Sequence, residues 1–104
     1  MLEDTDHPHI TRVFELMEDR RSYYVIMELI SGGNLLEKVI EMKSLTEKQA
    51  ADVINQVLLA LNYMHSMKIT HRDLKPENLL CEPSEDDPDK INVKLTDFGF
   101  ACVF

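Results

Sequence analysis

No apolar run in this sequence approaches the roughly 18 residues that a membrane-spanning helix requires, so a span is not expected. The opening MLEDTDHPH is acidic and carries no apolar core, which argues against a secretory leader. Cysteine is sparse. Cys81 and Cys102 form no C-x-x-C pair and read as free thiols in a reducing compartment, which points to the cytoplasm. Positive charge is also scarce. Eleven Lys and Arg face nineteen Asp and Glu, a net charge of −8, and this balance argues against nucleic acid or an anionic membrane as the main partner. There is no internal repeat and no low-complexity tract. What remains is ordinary globular material: 104 residues, 44% apolar and 29% charged, enough for one small domain or part of a larger one.

Breaks fall at His7-Pro8-His9, at Ser31-Gly32-Gly33, and at residues 82–89, where five acids and two prolines mark a solvated loop. Residues 11–17 and 23–29 read as strands, the second rich in aromatic and β-branched side chains, with a polar turn between them. Asn34 can cap a short helix, with Glu37 completing a capping box. Thr46 and Gln49 form the same signature for a longer one. In the longer helix Ala50, Val53, Ile54, Val57, Leu58, Leu61 and Met64 recur at helical spacing and predict a single apolar face. Ile91, Val93 and Leu95 alternate as a strand, with Leu79-Leu80-Cys81 as its partner across the acidic loop. The order is strand, strand, helix, helix, loop, strand, strand, an α+β chain.

Chemistry concentrates in His71-Arg72-Asp73-Leu74-Lys75-Pro76-Glu77-Asn78, followed nineteen residues after Asn78 by Asp97-Phe98-Gly99. Asn78 and Asp97 offer hard oxygen ligands suited to Mg²⁺. Asp73 can accept a proton from a hydroxyl held beside it. Lys75 is a mobile point charge able to neutralise phosphate oxygens. The bland reading of the remaining histidines and methionines is structural: His7 and His9 flank a turn proline, and the methionines fill core or rim.

These two motifs, in this order, resemble the catalytic loop and D-F-G signature of the eukaryotic protein kinases. The resemblance extends along the chain. His7-Pro8-His9-Ile10 is similar to the turn between the family's αC helix and the following strand. Tyr24-Val25-Ile26-Met27-Glu28-Leu29-Ile30 is similar to the strand that runs into the hinge. The resemblance implies a partial kinase-like fold: residues 1–30 as the end of the small lobe, and 31–104 as the start of the large lobe, with two helices, the catalytic loop and a strand hairpin.

It implies a Ser/Thr protein kinase using ATP and Mg²⁺, with Asp73 as base, Lys75 on the γ-phosphate, and Asn78 and Asp97 on the metal. Met27 would stand beside the adenine pocket as gatekeeper. The backbone of Glu28 and Ile30 would bind the adenine edge, Leu80 would lie beneath it, and Asn34 would sit near the ribose. Glu77 would read a basic residue upstream of the phosphorylated Ser or Thr. Arg72 would pair with a phosphorylated activation loop. His71, Phe98 and Val13 would stack between the lobes, and Gly99 would let the backbone turn.

Gly32-Gly33-Asn34-Leu35, the Thr-Glu-Lys-Gln-Ala helix start and the acidic insert are similar to the calcium/calmodulin-dependent and calcium-dependent kinase group. The 104 residues hold no G-x-G-x-x-G loop, no V-A-I-K-type lysine and no A-P-E motif. They are therefore expected to form an incomplete kinase domain, inactive alone, with the long helix exposing an apolar face and tending to self-associate. The alternative is a non-catalytic, kinase-derived chain that acts as a binding module.

Overall fold

The computed structural model describes residues 5–84, 86–87 and 89–96, together with the backbone of 102–103. Strands β1 (Val13–Glu18) and β2 (Tyr23–Met27) form an antiparallel hairpin in which Glu18 faces Tyr23 and Val13 faces Met27, with one irregularity between Val13 and Glu15. The turn forms because Asp19 closes it on itself. Its Oδ1 accepts from the amides of Arg21 (2.8 Å) and Ser22 (2.7 Å), and its Oδ2 accepts from the Tyr24 hydroxyl (2.9 Å). β2 stops at Met27, two residues short of the sequence expectation: in the next pair of the register the Glu28 amide still donates to the Arg12 carbonyl, but the Arg12 amide turns to the Glu28 side chain instead of its carbonyl.

Helix α1 (Leu35–Met42) starts where the Asn34 side chain accepts from the Glu37 amide at 2.9 Å. Only this half of the expected box forms. Helix α2 (Glu47–Ser66) has both halves: the Gln49 amide donates to Thr46 Oγ1 at 3.1 Å, and the Thr46 amide donates to Gln49 Oε1 at 3.0 Å. Beyond it, β3 (Ile69–Thr70) pairs with β6 (Cys102–Val103), a two-residue ladder not expected from the sequence. β4 (Leu79–Glu82) and β5 (Asn92–Leu95) form the expected hairpin, with Leu79 opposite Leu95 and Cys81 opposite Val93.

The core lies between α2 and this hairpin. Val53, Val57, Ala60 and Met64 pack with Ile10, Leu35, Ile69, Leu79, Ile91, Val93 and Leu95. The single apolar face expected for α2 proves to be two adjacent stripes. Ile54 and Leu58, each 58% exposed, turn to solvent, while Gln56 is buried. Gln56 earns that position by matching the hairpin edge: its Nε2 donates to the Ile91 carbonyl and its Oε1 accepts from the Val93 amide, both at 2.8 Å.

Residues 9–12 stitch the first hairpin to the second. The Thr11 amide donates to the Leu95 carbonyl (3.0 Å), and the Leu95 amide donates to the His9 carbonyl (2.8 Å). Among the described residues, no helix is long and apolar enough to cross a membrane.

Candidate active site

The loop after β3 is built around a buried imidazole. His71 Nδ1 accepts from the Asp73 amide at 3.1 Å, and its other nitrogen lies 2.8 Å from the Thr96 carbonyl. A carbonyl only accepts, so His71 carries its proton on Nε2 and leaves Nδ1 as acceptor. Arg72, between them, takes a left-handed conformation (φ 71°) that turns the loop so that Asp73 follows the ring.

A single 3₁₀ turn, Pro76–Asn78, then brings Asn78 back to Asp73. Asn78 is buried. Its Nδ2 donates to the Asp73 carbonyl (2.7 Å) and reaches Asp73 Oδ2 (3.2 Å). Lys75 Nζ stands 3.7 Å from Asp73 Oδ1, with its side chain half in solvent. The carboxylate is thus held on both oxygens, by an amide on one and by a cation that is free to swing away on the other. With Nδ2 spent on Asp73, Asn78 keeps Oδ1 as its acceptor. A fixed amide oxygen beside a carboxylate fits a hard divalent cation such as Mg²⁺. Glu77 is exposed on the outer side of the turn. Asp97, Phe98 and Gly99 lie outside the described residues.

The second group of expected site residues surrounds the end of β2. Met27 is half-buried, and its sulfur accepts from the Thr96 hydroxyl at 3.9 Å. Glu28 is gripped three ways. Its amide donates to the Arg12 carbonyl (3.0 Å), while Oε1 accepts from the Arg12 amide (2.9 Å) and from Lys94 Nζ (2.8 Å). Burial pushes the Glu28 carboxyl up, but the Lys94 and Arg12 contacts outweigh it and leave the group below its ordinary value. Ile30 is half-buried. Asn34 forms a backbone bridge with Leu80, and the Cys81 amide donates to the Gly33 carbonyl at 2.7 Å, which lays this segment on β4. A β-carbon at Gly32 would fall on the Cys81 carbonyl oxygen, so this close approach needs glycine.

Thr96 joins the two groups. Its amide donates to the Asn78 carbonyl (2.9 Å), its carbonyl accepts from His71, and its hydroxyl meets Met27. Sequence reasoning passed over Thr96 and Lys94. Each sits next to residues it singled out, but its partners lie 18 to 69 residues away along the chain. A cavity of about 790 Å³ opens elsewhere, between the start of α2 and the acidic loop, and one of about 340 Å³ lies behind Glu28.

The protein kinase domain model matches residues 1–104. The chain is 44% identical over 101 residues to calcium/calmodulin-dependent protein kinase type 1 of Macrobrachium nipponense, covering 97% of this chain and 28% of that protein. It is 45% identical over 103 residues to the serine/threonine-protein kinase RAD53 of Saccharomyces cerevisiae, covering 99% of this chain and 12% of that protein. A crystal structure of the Rad53 kinase domain and SCD2 superposes with a TM-score of 0.82 at 44% identity, over 98% of this chain and 37% of the other. The chain thus spans under a third of the length of these two curated relatives. From the catalytic-loop cluster to the strand that precedes Asp97, this chain belongs to the protein kinase family.

Proposed function

We propose that this chain supplies the catalytic loop and the base-binding edge of a serine/threonine protein kinase that moves the γ-phosphoryl group of ATP to a protein hydroxyl. The observation that carries the reading is Asp73 held on one oxygen by buried Asn78 and faced on the other by half-exposed Lys75. In this role Asp73 accepts the proton of the attacking Ser or Thr hydroxyl. Lys75 swings to the transferring phosphate. Asn78 through Oδ1, with the Asp97 carboxylate, holds Mg²⁺, which when bound neutralises phosphate charge.

The carbonyl of Glu28 and the amide of Ile30, which make no hydrogen bond among the described residues, take the adenine edge above Leu80, with Met27 as gatekeeper and Asn34 toward the ribose. Residues 1–30 close the small lobe and 31–104 open the large one. Arg72 pairs with a phosphorylated activation loop, His71, Phe98 and Val13 stack between the lobes, and Gly99 permits the turn after Phe98. Glu77 selects a basic residue upstream of the phosphosite. The glycine pair, the capping sequence of α2 and the acidic insert favour the calcium-dependent group and a cytoplasmic setting.

The test is replacement of the aligned segment of the yeast RAD53 kinase domain by residues 1–104. A folded chimera, checked by thermal melting, should phosphorylate a basic Ser/Thr peptide, and Asp73→Asn should lower the rate by at least about 10²-fold. A folded chimera that transfers nothing would overturn the reading. The 104 residues alone should transfer phosphate negligibly, because much of the catalysis lies in positioning parts they do not hold.

A further inference from the structure

We propose that Lys94 is a positioning residue for the nucleotide base: by gripping Glu28 it sets the backbone that presents the Glu28 carbonyl and the Ile30 amide. The inference rests on the nucleotide reading above and adds a residue and a physical cause to it.

An exposed ion pair would deserve no such weight, since such pairs contribute little. This one is different in three respects. The Lys94 and Glu28 side chains are only 14% and 25% exposed, at a separation of 2.8 Å. The same Glu28 oxygen also takes the Arg12 amide, while the Glu28 amide binds the Arg12 carbonyl. Backbone and side chain of Glu28 are therefore both fixed on one partner residue, and Lys94 holds the oxygen of the second contact as well. Finally, Lys94 stands between Val93 and Leu95, each 1% exposed, so its own backbone is among the most firmly packed in the chain.

A consequence for alignment follows. Two residues beyond Lys94, just past the end of β5, Thr96 touches both Met27 and the catalytic loop. The end of β5 and the residue after it thus hold the base-binding edge through Lys94 and the proton-accepting loop through Thr96. Their relative position is set by the short extended run from Lys94 to Thr96, at about 3.3 Å per residue, and not by residues 31–70, which separate them in sequence.

The test uses the 104-residue chain, with amide hydrogen exchange followed by NMR and ADP titrated at millimolar concentration. Lys94→Met keeps the stem and removes the charge. Lys94→Arg keeps the charge. Lys90→Met, in the acidic loop, controls for the loss of one positive charge. Lys94→Met should speed exchange at the Arg12 and Glu28 amides by about five- to ten-fold, leave the Cys81 and Val93 amides unchanged, and weaken ADP by a similar factor. Lys94→Arg and Lys90→Met should stay near the parent. Unchanged exchange at Arg12 and Glu28 would overturn the inference, as would equal acceleration at Cys81 and Val93, which would make Lys94 a general brace. If the parent chain binds ADP and Lys94→Met binds it equally well, only this inference falls. If the parent binds no ADP, the same titration on the folded RAD53 chimera decides, and no binding there overturns the nucleotide reading as well.

Discussion

Thr11 offers a sharp test of the packing argument. It is fully buried at 0% exposure, and its hydroxyl has no hydrogen-bond partner among the described residues. Its backbone is well used, since the amide donates to the Leu95 carbonyl at 3.0 Å. The hydroxyl alone is therefore at fault, and an unsatisfied buried polar group costs about 1–3 kcal/mol. Valine has nearly the same shape and the same β-branch, so the strand's backbone and rotamer preference survive the exchange. Replacing the hydroxyl by a methyl removes the penalty and adds about 0.8 kcal/mol of apolar burial. Part of this is lost to the slightly larger methyl in a packed site.

The net expectation for Thr11→Val is a gain of about 1–2 kcal/mol, or about 4–8 °C in Tm per kcal/mol for a chain of this size. Urea unfolding at low micromolar concentration, followed by far-UV circular dichroism, would measure it. Thr11→Ser is the matched control. It keeps the hydroxyl and deletes the methyl, and should lose about 1 kcal/mol. The reasoning is refuted if Thr11→Val is no more stable than the parent, because a partner for the hydroxyl must then exist.

Gln56→Leu would leave the Ile91 carbonyl and the Val93 amide unpaired in the core, and should cost about 2–4 kcal/mol in urea unfolding, with faster exchange at the Val93 amide. Acid should weaken the Glu28 contact. Its carboxyl is held below the ordinary 4.5, so the folded state favours the charged form. The stabilisation is complete above about pH 4.5 and is lost on further acidification as the group takes its proton. His7, across the same cavity, is held below 6.5 by burial and by His9, so its protonation also opposes folding, starting at higher pH. Glu28→Gln should remove the more acidic of these two steps from a pH series of urea midpoints and leave the other. The outward stripe of α2 should drive self-association. Ile54→Lys with Leu58→Glu should shift the 104-residue chain toward monomer in light scattering, and an unchanged size distribution would count against that stripe as the contact.

The parts legible in the sequence are those in which cause and effect are close along the chain. The Thr46–Gln49 box closes over three residues. Ile91, Val93 and Leu95 announce their face by alternation. The spacing from Asp73 to Asn78 is short enough for one turn to fold back on itself. Longer causes left no local mark. Gln56 reads as a polar helix residue until the edge of β5 arrives from 35 residues away. Helical spacing gave one apolar face on α2 but could not say that the hairpin would cover only part of it and leave Ile54 and Leu58 outside. β3 and β6 have two residues each, too few for any periodicity to register. Lys94 reads as a solvent-facing strand residue, and only the folded chain places Glu28 beside it.

Both backbone groups of Thr96 are committed to the catalytic loop, its amide to Asn78 and its carbonyl to His71. The peptide planes on either side of Thr96 therefore cannot rotate without breaking a bond to that loop. Thr96 is thus an anchored end: a pull on it is shared by Asn78 and His71 rather than carried by Leu95 alone.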